Sequence, residues 1–299
     1  MRSALISIVL IALGTASICA CAPYESRFLR VPRTMWEPPE RATVLDIPAQ
    51  GDGTLKSWLF RPADAPANQP LPALIIAHGR SDSMADYRAF APELADAIGG
   101  AVVIFDYRGF GASSDLKHPT RQTLIDDTGA LLAHLRTRRD LDPNRFTLWG
   151  ISLGAYPAAA HFADDPSIDA LVLWGAPSNI KALICDGHED FNPISQLFAS
   201  MLIPRHRAPE DELKRADARP ALIVHAEHDQ IVRIHHAHTL ARSAPHAALL
   251  IDAEGTHASI SQPILEAIIG WIRSELHPSH SLDMLPASTV MELMQSHAQ

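Results

Sequence analysis

Residues 146–162 read FTLWGISLGAYPAAAHF, and this stretch decides the fold. FTLW is a short apolar run of the kind that is buried on both faces in a parallel sheet. Gly150-Ile151-Ser152-Leu153-Gly154 follows at once, and LGAYPAAAHF then offers the small and apolar side chains of a packed helix. The two glycines permit a turn from strand to helix so tight that a Cβ would obstruct it, and such a turn exposes a serine hydroxyl at the end of the sheet. An ordinary turn containing Gly and Ser would show the same five residues. The strand before and the helix after separate the two readings, and they make Ser152 the candidate nucleophile.

Working outward, further apolar runs occur at 54–60, 74–77, 101–105, 170–174, 221–224 and 248–251. Helical patterns at 87–98, 122–137, 153–162, 236–244 and 263–275 lie between and after them. Strands alternating with helices of this length predict βαβ units, hence an α/β fold with a mostly parallel central sheet and helices on both faces. Thr54–Phe60 reads as an early edge strand. The alternation breaks at 179–217, which carries helix-compatible pieces at 194–202 and 209–216 but no buried strand. An insertion of that length in such a domain is commonly functional, and a short cap over the site is the expected role. The domain is bounded at 41–276, and the tail at 277–299 has too little apolar periodicity to join the core.

A serine hydroxyl is a weak nucleophile until an adjacent base, itself oriented by a carboxylate, accepts its proton. In this architecture the acid and the histidine follow the serine, in that order, at the ends of later strands. His225-Ala226-Glu227-His228-Asp229 follows the run at 221–224, and Asp252-Ala253-Glu254-Gly255-Thr256-His257 follows the run at 248–251. Asp229 and His257 are the choices. Glu227 sits where its backbone continues the strand ladder, and Asp252 leads the loop that carries the histidine itself. Oxyanion stabilisation needs two backbone N–H groups. Leu153, at the start of the helix after the nucleophile, supplies one; Arg80, in His78-Gly79-Arg80, supplies the other. Six of the 16 histidines fall between His225 and His246, and His236-Ala237-His238 resembles a ligand pair. Side chains two apart on a helix diverge, however, and no matching distant ligand completes a set. No metal or organic cofactor is expected.

The chain has 299 residues, 47% hydrophobic and 20% charged, with a net charge of −9. That acidic balance leaves no surplus for gripping a phosphate backbone and argues against nucleic acid as a partner. Three cysteines cannot make a disulfide scaffold. Residues 1–21, MRSALISIVLIALGTASICAC, hold one charge, Arg2, and then an apolar run of signal-peptide length. Ala20-Cys21-Ala22 offers a signal-peptidase site, and Ile18-Cys19-Ala20-Cys21 resembles a bacterial lipobox, with Cys21 as the lipidated residue. A lipoprotein-type signal peptide at 1–20, a proline-rich tether at 21–40 and a lipid anchor through Cys21 to a membrane of the cell envelope are the expectations, with secretion to the periplasm as the alternative. Cys185, left as the sole unmodified cysteine, reads as a small buried hydrophobe.

IIAHG at 75–79, FDYRGFGASS at 105–114, LWGISLGA at 148–155, LIVHAEHDQIV at 222–232 and GTHA at 255–258 together resemble the α/β-hydrolase superfamily. Their order matches it from about residue 50 to 276. The DYRGFGAS piece is most similar to the branches holding monoacylglycerol lipases, serine aminopeptidases and carboxyl esterases. The resemblance implies a triad of Ser152, Asp229 and His257, an oxyanion hole at Arg80 and Leu153, no cofactor, and a small-molecule or lipid ester as substrate. The single HG dipeptide lacks the HGGG run of another esterase branch, and the modest cap departs from lipases with large lids. Amide or thioester cleavage by the same groups, and a non-catalytic scaffold on the hydrolase fold, are the alternatives.

Overall fold

A computed structural model describes residues 37–67, 69–186 and 206–277. Eight strands form one sheet: β1 (Thr43–Pro48), β2 (Thr54–Phe60), β3 (Leu71–Ala77), β4 (Ala101–Phe105), β5 (Leu141–Ile151), β6 (Ile168–Trp174), β7 (Ala221–Ala226) and β8 (Ala248–Asp252). Their order is β1-β2-β4-β3-β5-β6-β7-β8. The pairs from β4 through β8 are parallel, while β1–β2 and β2–β4 are antiparallel. This is the expected α/β-hydrolase architecture, and its central strands β3 and β4 are buried at every position.

The edge differs from expectation. Thr54–Phe60 lies between two strands, and the edge is β1, whose TVLDIP buries only Leu45 and Ile47. Its alternate residues face water, so no continuous apolar run announces it. At the outer rim a Lys56–Asp46 ion pair links β2 to β1.

The helices are α1 (Phe90–Ile98), α2 (Arg121–Arg136), α3 (Ala155–Asp164), α4 (Ile180–Cys185), α5 (Pro209–Arg215), α6 (His235–Ser243) and α7 (Gln262–Leu276). The helix expected over 87–98 begins later, because Met84–Tyr87 forms a separate 3₁₀ turn. Likewise Ser152–Gly154 is a 3₁₀ turn ahead of α3. Inside the 179–217 insertion, α4 was not anticipated; Asn179 caps it by accepting the Ala182 N–H at 2.8 Å. Cys185 is exposed rather than buried, since Ile180, Leu183 and Ile184 occupy the inward side of this short helix. The signal segment, Cys21, the tether before residue 37, the piece at 194–202 and the tail after His277 lie outside the described residues. No described helix is long and apolar enough to cross a membrane.

The sheet divides two hydrophobic cores. One packs Leu74, Ile76, Val102 and Trp149 under α1 and α7. The other packs Ile75, Val103, Leu148 and Leu171 under α2, α3, α5 and α6. The FDYRGFGASS loop after β4 is braced by carboxylates. Asp106 accepts the N–H groups of Met84 at 2.7 Å and Ala112 at 2.8 Å, and buried Asp127 on α2 holds Arg108 through both its N–H, at 2.8 Å, and its Nε, at 2.6 Å. Burial still raises the Asp127 carboxyl above its ordinary range, against the pull of Arg108. The chain enters the sheet at Thr43, which pairs with Leu59 at the end of β2 remote from Ser152. Helix α7 returns to that same end, where His277 meets the Ile98 carbonyl at 3.0 Å.

Candidate active site

Ser152 stands where β5 turns into α3, and its φ of 50° places it in the left-handed region. A non-glycine residue there is strained by about 1–2 kcal/mol, a cost carried by the surrounding packing. The flanking glycines are required by space. A Cβ on Gly154 would lie 1.9 Å from the Ala77 carbonyl oxygen, and one on Gly150 would lie 2.7 Å from the Gly154 oxygen. The turn thus wedges between the end of β3 and its own helix.

The three residues singled out from the sequence come together in one line. His257 Nε2 lies 3.1 Å from Ser152 Oγ, and His257 Nδ1 lies 2.7 Å from Asp229 Oδ2. Asp229 is 4% exposed, and its other oxygen accepts the N–H groups of Ile231 and Val232, each at 2.8 Å. With Oδ1 so occupied, the carboxylate is fixed and Oδ2 receives the imidazole Nδ1–H. That leaves Nε2 unprotonated toward the serine, the tautomer a general base needs.

Both rival carboxylates are placed by the geometry. Glu227 is exposed and its N–H continues the β7–β8 pairing onto the Asp252 carbonyl at 2.8 Å. Asp252, 1% exposed, organises the histidine loop: it accepts the N–H groups of Gly255 at 2.9 Å and Ser261 at 2.7 Å. Trp174 adds an indole N–H to the His257 carbonyl at 3.4 Å. One contributor escaped sequence reasoning. Gly175, with φ of 54°, leaves the space in which His257 sits; a Cβ there would be 3.3 Å from Nδ1. No motif marks it, because its partner is 82 residues away in the chain.

The Gly79 loop abuts the serine: a Cβ added to Gly79 would lie 3.5 Å from Ser152 Cβ. Two side chains hold it. Asp82 accepts the Gly79 N–H at 3.2 Å, and buried His78 meets the Gly79 carbonyl with Nδ1 at 2.8 Å. Because the peptide is planar and trans, fixing that carbonyl turns the Arg80 N–H to the opposite side of the same plane. Leu153 is buried in the 3₁₀ turn directly after the serine. Around Ser152 opens a cavity of about 770 Å³.

The histidine-rich helix resolves differently from a metal site. His236 is buried and His238 exposed, so the pair diverges. Among the described residues one group of three, Asp186, His235 and His236, draws its ligand-type atoms within 4.8 Å. His236 Nδ1, however, receives the Ser178 N–H at 3.0 Å, so the neutral ring carries its proton on Nε2. That atom faces Asp186 Oδ2 at 3.1 Å, off the hydrogen-bond line. A protonated nitrogen has no lone pair for a cation, and the set fits an imidazole–carboxylate contact. Burial, with His235 stacked alongside at 4.4 Å, lowers the His236 pKa to about 4.

Residues 68–217 match the model of the serine aminopeptidase S33 family. The chain is 25% identical over 252 residues to the uncharacterised protein YfhR of Escherichia coli, covering 81% of this chain and 84% of that one. It is 31% identical to the quorum-quenching protein AidA of Acinetobacter baumannii over 126 residues, 40% of each chain. Among solved structures, the Pyrococcus furiosus esterase Pf2001 superposes with a TM-score of 0.66 at 18% identity, over 83% of this chain and 98% of that one. A Mycobacterium tuberculosis puromycin-hydrolyzing peptidase gives 0.63 at 16% identity, over 82% and 40%. With a nucleophile-type elbow on an eight-stranded hydrolase sheet, the chain belongs to the serine aminopeptidase S33 family of α/β-hydrolases.

Proposed function

We propose that this hydrolase cleaves carboxylic esters through an acyl-enzyme, with Ser152, His257 and Asp229 as its catalytic triad. The observation that carries the reading is the continuous line from Ser152 Oγ to His257 at 3.1 Å and from His257 to Asp229 at 2.7 Å. Ser152 Oγ bonds to the ester carbonyl carbon as its proton passes to His257 Nε2. The carbonyl oxygen becomes an oxyanion facing the N–H groups of Leu153 and Arg80. Collapse breaks the bond to the alkoxy oxygen, which takes the proton from His257 and departs as the alcohol. Water then repeats the sequence on the acyl-enzyme, releasing the acid and restoring Ser152. Asp229 holds the imidazole in its working tautomer.

Ser152→Ala removes the nucleophile and is expected to lower hydrolysis of a short-chain p-nitrophenyl ester by roughly 10⁴-fold or more, with an unchanged thermal melt. Full retained activity would sink the triad. Labelling of Ser152 by a fluorophosphonate probe separates catalysis from a scaffold role. Amide cleavage is the second reading; the family's peptidase name and the puromycin-hydrolyzing neighbour favour it. The esterase neighbour, matched over 98% of its length against 40% for the peptidase, favours esters. Export to the cell envelope and lipidation at Cys21 belong to the same proposal and rest on the lipobox-like ICAC sequence. Mass analysis of the mature N-terminus tests them, an unacylated terminus counting against the anchor.

A further inference from the structure

The cavity above Ser152 is walled by both cores of the protein. Ser152 stands at the end of the sheet that divides them, so one side of the cavity continues the α1/α7 core and the other continues the α2/α3/α5/α6 core. The first wall is rich in aromatic rings: Tyr87, Phe90 and Trp149, with Ile260 and Leu265 beside them. Phe90 meets Trp149 edge-on at 6.3 Å between centroids. The second wall is mainly aliphatic, with Leu153, Ile180, Leu183 and Val232 around the single ring of Tyr156.

Three carboxylates and two arginines line this space; half-buried Arg80 and exposed Arg233 belong to neither apolar wall, and the carboxylates are turned to other partners. Asp82 accepts the Gly79 N–H at 3.2 Å and the Tyr87 hydroxyl at 3.2 Å. Asp86 accepts from the Ser83 N–H at 2.8 Å and the Ser83 hydroxyl at 3.1 Å. Asp186 faces His236. The interior therefore offers two apolar surfaces of different shape, one on each side of the nucleophile.

His257 decides which surface meets which half of the substrate. Its Nε2 hands the proton to the departing oxygen, so the alcohol half lies on the side toward which the histidine loop runs. That loop lines the cavity at Ala258 and joins the aromatic wall at Ile260. We infer that the substrate is an uncharged ester with an apolar group on each side of its carbonyl. The leaving alcohol rests on the Phe90–Trp149 wall and the acyl chain on the Ile180–Leu183 wall. This inference rests on the ester reading above. Aromatic faces match a planar or aromatic alcohol through offset and edge contacts. Along an aliphatic wall each added acyl methylene contributes about fourfold in kcat/KM until the wall ends.

The test is a crossed set of esters on the full chain. One series varies the acyl group from acetate to octanoate on a fixed methyl alcohol. The other varies the alcohol from methyl through butyl to benzyl on a fixed butyrate. Phe90→Ala is expected to cut the benzyl-to-methyl preference about tenfold without altering the slope of the acyl series. Leu183→Ala is expected to flatten the acyl slope without altering the benzyl-to-methyl ratio. Thermal melts accompany both, and Phe90→Leu and Leu183→Val stand in if an alanine variant does not fold. Reversed effects, or equal loss in both series from either variant, would overturn the assignment of the walls. Turnover of charged esters above neutral ones would overturn the substrate class. A folded protein that cleaves no ester in either series would refute the ester reading itself, an outcome distinct from the others.

Discussion

Gly154→Ala is the sharpest test of the elbow. The backbone of Gly154 has φ of −61° and ψ of −11°, values any residue accepts, so the substitution probes space alone. The new methyl would stand 1.9 Å from the Ala77 carbonyl oxygen, 2.5 Å from its carbon and 2.8 Å from the His78 oxygen. A carbon–oxygen contact normally relaxes to about 3.3 Å, so the end of β3 and the turn must part by roughly 1.4 Å. Neither side yields cheaply, because both obstacles are backbone and Ala77 is paired with Gly150 in the sheet. Overpacking against movable side chains typically costs about 1–3 kcal/mol, and a backbone obstacle places this change at about 3 kcal/mol or above. The same displacement separates Ser152 from the Gly79–Arg80 peptide. A misplacement of about 1 Å costs on the order of 10²-fold in rate. Urea melts followed by tryptophan fluorescence should show the midpoint fall by about 1 M, taking a slope near 3 kcal/mol per M. Ester hydrolysis should fall at least 100-fold. Gly51→Ala is the matched control: φ there is 70° and nothing lies within 4 Å of the added methyl. Only local strain of about 1 kcal/mol applies, and the rate should hold. A Gly154→Ala protein with the native midpoint and rate would refute the packing argument.

Three further outcomes follow from the same geometry. Gly175→Ala adds strain at φ of 54° and crowds His257 Nδ1 at 3.3 Å; kcat should drop more than ester KM rises, and unchanged kcat would mean the imidazole has slack. Arg108→Met leaves Asp127 buried without its cation and should cost about 3–5 kcal/mol in a urea melt, while the double change Arg108→Met with Asp127→Leu should recover most of it. His236 has a folded pKa of about 4 against 6.5 unfolded, so the unfolded chain binds the proton first. Its contribution to stability is complete above about pH 6.5 and is lost as pH falls toward 4, by about 3 kcal/mol at most. His236→Gln should flatten the decline of the urea midpoint between pH 7 and pH 5, and an equally steep decline would remove His236 as its cause.

The central strands and the Ser152 elbow could be read in the sequence because each rests on neighbours in the chain. Buried parallel strands need unbroken apolar runs, and the turn needs glycines two residues either side of the serine. The order of acid and histidine follows from strand succession, which makes Asp229 and His257 the choices while leaving Glu227 and Asp252 as rivals for the carboxylate. What stayed hidden depends on distant partners or on exposure. β1 escaped because four of its six residues face water, and α4 because six residues give no period to detect. Cys185 was misjudged because the side of a short helix that turns inward is set by what packs on it. Asp252 competed for the acid's role, and only the fold reveals it accepting N–H groups across the histidine loop. His78 and Asp82 likewise gain their meaning from the carbonyl and N–H of Gly79, which no spacing advertises.

The meeting of both ends of the described body at the pole away from Ser152 has a practical consequence. A resin, a fusion partner or an electrode surface attached at residues 41–43 or at His277 would hold the molecule by the end of the sheet opposite its cavity. The mouth would then open toward the bulk liquid, and immobilised protein should turn over a dissolved ester at the same specific rate as protein free in solution.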